Sequence, residues 1–263
     1  MEKFHFKKRL TSMLSVDFKR MFTSTLFYIV VGVCFVIPIL ILVMTTMMAG
    51  STTIDPVTGE ETVMEGFTNT WQTIGSLSSE NSAMNMSLTG MCNINMLYFF
   101  VAVLVCLFVS DDFRSGYAKN LFTVRSKKND YVISKTVVGF VGGTCMLIAY
   151  FIGAMLGGAF SGLPFNTGAA GVSGVIACML SKIFLVAIFV ALDVMISVIA
   201  KQRAWLAIVG SLMVGMLFFT MIPMITPLDS GFVNVILCLV GGALFSVGIG
   251  AASNLILNNT NIL

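Results

Sequence analysis

Polar and aromatic side chains cluster in one segment of an otherwise apolar sequence, between residues 111 and 130. Asp112 lies four residues before Gly116, and an apolar stripe with helical spacing (i, i+4, i+8) runs through the same segment. The members of the stripe are Phe113, Tyr117 and Leu121. The basic turn that follows contains Arg125, Lys127 and Lys128. An apolar stripe on a basic element either enters the membrane interface or docks a partner protein.

Two residues of this segment are predicted to position the stripe. Asp112 can cap the following turn by accepting hydrogen bonds from backbone N–H groups. Gly116 has no Cβ, so it can permit a turn or a close backbone approach where the preceding helix ends. Both roles would hold the stripe rigidly, as a docking element requires.

Two charges, Lys182 and Asp193, lie inside a long apolar run. Their spacing is close to three helical turns, so both side chains point the same way but lie about 16 Å apart along the axis. We expect Lys182 to reach the outer membrane interface along its own flexible stem. Asp193 should lie roughly 10 Å inside the opposite boundary and face other helices or water. Its role is either hydrogen bonding within a helix bundle or lining a transport path.

Several kinds of catalytic and cofactor chemistry are excluded. The only histidine is His5, so neither an HExxH metal site nor a Ser–His pair can form within the apolar runs. Residues 171–174 have the GxSG form of an intramembrane serine protease, but no histidine lies at their depth. The sequence has no GxxxxGK loop ending in Ser or Thr to hold nucleotide phosphates. We therefore expect no metal or cofactor on this chain, and no nucleic-acid partner.

The amino-acid composition indicates the environment in which the polar and charged residues described above are held. Apolar residues make up 57% of the 263-residue chain and charged residues only 10%. In a soluble protein, about 45–50% of the residues are apolar and about 25% are charged. The mean hydropathy is +0.96. Such a chain cannot cover its apolar surface with polar groups in water. We therefore predict an all-α integral membrane protein with one transmembrane domain over residues 1–263.

Six transmembrane helices are predicted, because a bilayer core of about 30 Å requires about 20 apolar residues per crossing. The apolar runs cover residues 22–48, 91–110, 135–160, 172–200, 204–225 and 232–257. Backbone polar groups in hydrocarbon must be satisfied internally, which long runs achieve as helices. In the third run, Ala149, Gly153 and Gly157 share one face. That face predicts close packing of a neighbouring helix, with a gap for substrate as the alternative.

The distribution of basic residues predicts the orientation. Fourteen of the fifteen Lys and Arg residues fall on one side of the predicted membrane, and segments 49–90, 161–171 and 226–231 contain none. Both termini and segment 111–130 are therefore predicted to be cytoplasmic, in a multi-pass protein of the cell membrane. The extracytoplasmic loop 49–90 carries five acids. These acids either attract cationic substrates or are merely tolerated where bases are excluded.

The N-terminal tail, residues 3–20, has the pattern of a helix that lies in the membrane interface. Its apolar residues recur every four positions and are Phe6, Leu10, Leu14 and Phe18. The opposite face carries Lys8, Ser12, Ser15 and Lys19. The same basic residues also anchor the topology.

A longer motif extends through the connection between the second and third runs. The acid four residues before a glycine, Asp112 to Gly116, is followed by an amphipathic stretch, a basic turn and Tyr131-Val132-Ile133-Ser134-Lys135. This pattern resembles one found in the permease subunits of ABC-2 type transporters. The Ser-Arg pair that usually precedes the tyrosine corresponds here to Ser126-Lys127. The layout is similar too: an interfacial helix, six spans and a larger outer loop after the first.

The resemblance implies a transport subunit that is not itself an enzyme. Two permease chains, identical or related, would assemble with two copies of a separate ABC ATPase subunit, which binds ATP and Mg²⁺, and would contact membrane lipids. In that family the connection between spans two and three contains a coupling helix that docks on the ATPase. The residues so implied are Asp112, Phe113, Gly116, Tyr117, Leu121 and Arg125, within segment 111–130. Lys182 and Asp193 would lie in the bundle interior or on the transport path.

The implied activity is export of an amphipathic substrate such as a peptide, antibiotic or lipid, and export of an antimicrobial peptide falls within that range. Two other functions fit the same composition. One is a membrane scaffold without transport activity. The other is a secondary transporter, which would normally contain inverted repeats and paired broken helices. The sequence contains no convincing internal repeat.

Overall fold

The described part of the chain is almost entirely helical. The computed structural model describes residues 2–54, 61–63, 66–75, 93–124, 128–168, 171–219, 221–226 and 231–259. Its helices are α1 (Glu2–Thr23), α2 (Thr25–Met48), α3 (Leu97–Arg114), α4 (Tyr117–Val124), α5 (Asn129–Ser161), α6 (Gly171–Ala200), α7 (Ala204–Phe219), α8 (Ile222–Ile225) and α9 (Phe232–Asn259). Two short strands, β1 (Thr52–Ile54) and β2 (Glu61–Val63), pair antiparallel. Single 3₁₀ turns cover Thr70–Thr73 and Ile94–Met96.

Five helices in the described residues are long and apolar enough to cross a membrane. They are α2, α3 with its preceding 3₁₀ turn, α5, α6 and α9. These helices indicate a multi-pass membrane protein, as the composition predicts. The predicted fifth run, 204–225, does not form one continuous helix. Helix α7 has 16 residues, about 24 Å, and α8 begins at Ile222 with Pro223 in its first turn, where proline lacks the N–H that a continuing helix needs.

Helix α3 lies at the centre of the bundle, in contact with α5, α6 and α7. Helix α2 packs along α5, and α9 packs along α6. The α2–α5 contact is close because α5 presents glycines to the partner backbone. A Cβ at Gly153 would overlap the Phe35 carbonyl oxygen, and one at Gly157 would lie 2.9 Å from Ile39 Cα. The shared glycine face therefore serves helix packing, as the spacing predicts.

Helix α1 meets α2 at a tight corner centred on Ser24. The predicted polar face of α1 is exposed where its side chains are described, at Lys8, Ser12, Ser15 and Lys19. The opposite face packs mainly on α5, with Met13 and Met21 buried. A helix is thus present over the predicted stretch 3–20, and it extends to Thr23.

Part of segment 49–90 packs onto the bundle. Trp71 stacks on Phe151 of α5, with ring centroids 6.1 Å apart, and meets Phe165 edge-on at 5.7 Å. The backbone N–H of Thr70 donates to the Pro164 carbonyl over 3.2 Å. The 66–75 stretch is therefore attached to α5 and to the connection that follows it.

A buried ionic cluster as the candidate functional site

Four charged side chains from three helices meet at one end of the bundle. We call them the ionic cluster: Asp17 and Arg20 of α1, Asp112 of α3 and Lys135 of α5. Lys135 Nζ lies 2.8 Å from Asp17 Oδ1 and 2.7 Å from Asp112 Oδ2. Arg20 Nη1 lies 2.6 Å from Asp112 Oδ1 and 3.8 Å from Asp17 Oδ1. Two positive and two negative charges make the ionic cluster neutral.

Burial makes this neutrality necessary. The side chains of Asp17, Asp112 and Lys135 are 0% exposed, while that of Arg20 is 29% exposed. Two neutral groups complete the hydrogen bonding: Tyr131 Oη donates to Asp112 Oδ2 over 3.0 Å, and Ser134 Oγ donates to Asp17 Oδ2 over 2.6 Å. Every carboxylate oxygen of the ionic cluster thus has a partner. Buried charges persist only with such pairing, because removing ions from water costs several kcal/mol each.

The spacing of the α5 residues explains how one helix supplies three partners. Tyr131, Ser134 and Lys135 stand at i, i+3 and i+4, which places them on one helix face. Asp17 and Arg20 are likewise three residues apart on α1. Burial alone would lower the pKa of Arg20, but Coulombic attraction to Asp112 and their hydrogen bond raise it above its usual value. Arg20 therefore stays charged.

Aromatic rings join the short helix α4 to the ionic cluster. Arg20 Cζ lies 4.3 Å from the ring centroid of Tyr117, the first residue of α4. Lys135 Nζ lies 4.1 Å from the ring centroid of Phe108. Cations over aromatic faces are attracted by the ring quadrupole, an effect that strengthens when water is excluded. The ionic cluster consequently connects α1, α3, α4 and α5.

The structure changes the interpretation of Asp112 and Phe113. Asp112 does not cap the following turn, because its carboxylate is occupied by Arg20, Lys135 and Tyr131. Phe113 is 7% exposed and meets the Tyr131 ring edge-on, with centroids 6.2 Å apart. Phe113 therefore has too little exposed surface to fill a groove on a partner. Phe113 shares this interior because it packs on the Tyr131 ring, whose hydroxyl group donates to Asp112.

The rest of the predicted docking stripe is half-buried. Tyr117 and Leu121 are both partly covered, and Leu121 packs against the hydrophobic core. The exposed residues of α4 are instead polar: Lys119, Asn120 and Thr123. Gly116 has a φ of +76°, so it forms the turn predicted for it, in a conformation that residues with a Cβ rarely adopt. Arg125 lies outside the described residues.

Sequence reasoning missed Asp17 and Arg20 as members of this site. Asp17 is the only acid between residues 3 and 54, and an isolated acid in a basic amphipathic helix was the available signal. Arg20 is one of the fourteen basic residues that predict the orientation, and its sequence neighbourhood gives no further signal. A further ion pair joins Arg9 Nε of α1 to Asp130 Oδ2 of α5 at 3.1 Å. Helix α1 is therefore bound to α5 at two places.

Lys182 does not reach the outer interface, contrary to the prediction. Its side chain is 1% exposed, and Nζ donates to Asn95 Oδ1 over 2.8 Å and to Thr226 Oγ1 over 2.7 Å. Tyr98 Oη donates to the Lys182 carbonyl oxygen over 3.0 Å. Because these polar groups come from the segments before α3 and after α8, the ammonium is satisfied inside the bundle.

Asp193 lies in the bundle interior and is 3% exposed. Its Oδ2 atom has no hydrogen-bond partner among the described residues. The surrounding polar groups include Ser197, which donates to the Asp193 carbonyl over 2.6 Å, and the Cys106–Ser211 pair, with Sγ and Oγ 3.2 Å apart. Lys182 and Asp193 thus occupy separate polar sites on the same helix.

The ionic cluster links α1, α3 and α5 through ion pairs. Its groups are mutually paired, so it offers no unpaired nucleophile or base. Within the described ranges, no group of three or more His, Cys, Asp or Glu residues can hold a metal ion. No family model, curated protein or solved structure matches this chain.

Proposed function

We propose that this chain is the permease subunit of an ABC transporter, exporting an amphipathic peptide, antibiotic or lipid. Two copies of a separate ATPase subunit bind ATP and Mg²⁺, and a second permease chain completes the transporter. Segment 111–130 engages the ATPase. The observation that carries this proposal is the ionic cluster, which attaches the short helix α4 to three other helices at one end of the bundle.

The mechanical argument starts from what a coupling element requires. A short helix transmits force to the spans only if it cannot rotate or slide independently of them. Ala118 is fully buried, and Phe122 meets the Tyr131 ring edge-on with centroids 5.3 Å apart. Together with the Arg20–Tyr117 contact, these interactions hold α4 on both sides. Movement of α4 would consequently pass directly into α3 and α5.

The exposed face of α4 provides the surface for the ATPase. Lys119, Asn120 and Thr123 point away from the bundle, so the docking groove should offer hydrogen bonds and negative charge. The apolar residues of α4 then serve to seat the helix on its own bundle. This division differs from the apolar docking stripe predicted from the sequence.

The proposal also requires six membrane crossings, the number predicted from the sequence. Helices α7 and α8 together cover the predicted fifth crossing, with the break between them inside the bilayer. The basic residues then lie on the cytoplasmic side with both termini, and α4 faces the compartment that contains ATP. The transport path would pass beside the buried polar residues of α6.

Copurification is the first test. A tagged form of the full-length chain, expressed in its native cells, should bring down a protein that carries a phosphate-binding loop and hydrolyses ATP. Reconstituted complexes should then show ATP hydrolysis that increases with substrate. If no such ATPase is recovered under conditions that keep membrane complexes intact, the proposal fails and a scaffold or secondary transporter is favoured.

Variants of α4 separate docking from positioning. Lys119→Glu should weaken ATPase binding about tenfold or more, as charge reversal at an interface commonly does. Tyr117→Ala and Gly116→Val should lower substrate-stimulated hydrolysis while the permease still inserts. Lys19→Glu provides the matched control, since it makes the same charge change at an exposed position of α1. Equal effects of the two charge reversals, or full stimulation in all α4 variants, would contradict the assignment.

A further inference from the structure

Asp193 brings a carboxyl group into the apolar interior of the bundle. The residue is 3% exposed, and its neighbours on α6, Val190 and Val194, are fully buried. Oδ2 has no hydrogen-bond partner among the described residues, although each carboxylate oxygen accepts up to about two hydrogen bonds. One oxygen of this buried group is therefore left without a ligand by the described part of the chain.

Neutral groups from two other helices reach the second oxygen. Ser211 of α7 hydrogen-bonds to the Asp193 carboxyl group, and since Oδ2 has no partner, this bond is to Oδ1. The Ser211 hydroxyl group therefore donates its only proton to Asp193, and its oxygen accepts from Cys106 of α3, whose Sγ lies 3.2 Å from Ser211 Oγ. Ser197 donates instead to the backbone carbonyl oxygen of Asp193 over 2.6 Å. Each of these protons is thus committed, and none reaches Oδ2.

The helices packed on α6 supply no cation for this carboxyl group. They are α3, α5, α7 and α9, and the sequences of α7 and α9 contain no charged residue. Arg114 of α3 and Lys135 of α5 are paired with acids, and Lys182 of α6 donates to neutral oxygens about 16 Å away along the helix. The acids of α3 and α5 are also ion-paired; they are Asp111, Asp112 and Asp130. The titratable group that faces Asp193 is the Cys106 thiol, which provides no positive charge.

These surroundings favour a proton over a metal ion as the ligand of Oδ2. An ionised carboxylate without a cation is very costly in an apolar interior, and such groups become neutral instead. A metal ion such as Ca²⁺ or Mg²⁺ needs about six oxygen ligands, whereas the hydroxyl groups near Oδ2 are hydrogen-bonded elsewhere. A proton needs Oδ2 alone, and its binding removes the charge.

We propose that Asp193 is a proton-binding site, with the proton on Oδ2 and the Ser211 hydroxyl group donating to Oδ1. The proton comes from water and returns to it. It keeps the carboxyl group neutral while the interior between α3, α6 and α7 is dry. Entry of water would favour release of the proton, because water stabilises the ionised form. This inference needs only the helix bundle, and it does not depend on the proposed transport function.

Infrared spectroscopy of the full-length protein, in a detergent without carbonyl groups, tests the proposal. A protonated carboxyl group has a C=O stretching band that an ionised carboxylate lacks. We expect this band at neutral pH in the unmodified protein and its loss in Asp193→Asn, which has nearly the same shape. Asp111→Asn is the matched control and should keep the band, because Asp111 is exposed and paired with Arg114. Absence of the band from the unmodified protein, or its persistence in Asp193→Asn, would overturn the proposal.

Two serines test the position of the proton within the carboxyl group. Ser211→Ala removes the donor to Oδ1, so the C=O bond should strengthen and the band should move to higher frequency without being lost. Ser246→Ala is the matched control, because Ser246 donates to the Gly242 carbonyl oxygen within α9, and the band should not move. An unchanged frequency in Ser211→Ala, or an equal shift in both variants, would overturn the proposed geometry.

A comparison of salts at constant pH distinguishes a proton from a monovalent metal ion. The band should have the same intensity in sodium chloride, potassium chloride and choline chloride, because a bound proton leaves no charge to attract the metal ion. Loss of the band in sodium or potassium, but not in choline, would assign Oδ2 to a metal ion and overturn the proton assignment.

Discussion

Replacement of Lys135 by methionine should destabilise the bundle severely, because it breaks the charge balance of the ionic cluster. Methionine has a similar length but no charge, so Asp17 and Asp112 would share the single positive charge of Arg20. Both carboxylates are fully buried, and Lys135 Nζ contacts each of them within 2.8 Å. Removal of one partner from a buried pair costs about 3–5 kcal/mol. We expect the free energy of unfolding to fall by about this amount.

A double-mutant cycle shows whether charge balance is the cause. Asp17→Asn alone leaves the ionic cluster with one excess positive charge and should also be strongly destabilising. Asp17→Asn with Lys135→Met leaves Asp112 paired with Arg20, so neutrality returns. The double variant should therefore lose less stability than the sum of the single variants, by about 1–3 kcal/mol.

Unfolding in mixed micelles, followed by tryptophan fluorescence, provides the measurement. Trp71 is buried at 8% exposure, so its emission should change on unfolding. Lys119→Met is the control, since Lys119 is exposed and its loss should change the free energy of unfolding by less than about 0.5 kcal/mol. Additive losses in the double variant, or a Lys135→Met variant as stable as the control, would refute the argument from charge balance.

Three further predictions concern helix packing, the acid in α6 and orientation. Gly157→Ala should lower the free energy of unfolding by about 1–3 kcal/mol, since its Cβ would press on the α2 backbone. In contrast, Gly241→Ala on α9, with nothing within 4 Å of the new Cβ, should be neutral or stabilising in the same assay. If the proposed transport function is right, Asp193→Leu should reduce export with little loss of thermal stability, because Oδ2 has no partner to lose and only the Ser211 hydrogen bond to the carboxylate is removed. A thermal-shift assay showing lower stability with normal export would assign Asp193 a structural role. In a cysteine-free background, a cysteine at Thr58 should react with an impermeant thiol reagent in intact cells and one at Ser126 should not, and the reverse labelling would invert the topology.

The apolar helices were the most predictable part of the fold. The predicted runs 172–200 and 232–257 agree closely with α6 and α9, because the length of an apolar run directly limits a spanning helix. The run 204–225 was harder, since hydropathy does not register the break before Pro223. Helix α5 begins six residues before the predicted 135, because Asp130 and Tyr131 are buried by pairing rather than by apolarity.

Polar pairing between distant segments was the least predictable part. The sequence predicts that Lys182 reaches the interface along its own flexible stem. Its partners, Asn95 and Thr226, are 87 and 44 residues away, and their approach depends on the packing of α3, α6 and α8. The motif from Asp112 to Lys135 indicated where the candidate site lies. Only the docking of α1 reveals that Asp17 and Arg20 complete it.

The separation of Asp17 and Lys135 along the chain also determines when the ionic cluster can form during biosynthesis. The two residues are 118 positions apart. At about 5–20 residues per second, the ribosome takes about 6–24 s to reach Lys135 after adding Asp17. Until then α1 has both of its cluster charges but no partner on α5, so it must remain hydrated at the membrane surface. Closure of the ionic cluster therefore follows insertion of α2 and α3, and the emergence of α5 is the earliest point at which the nascent chain can fix α1 in place.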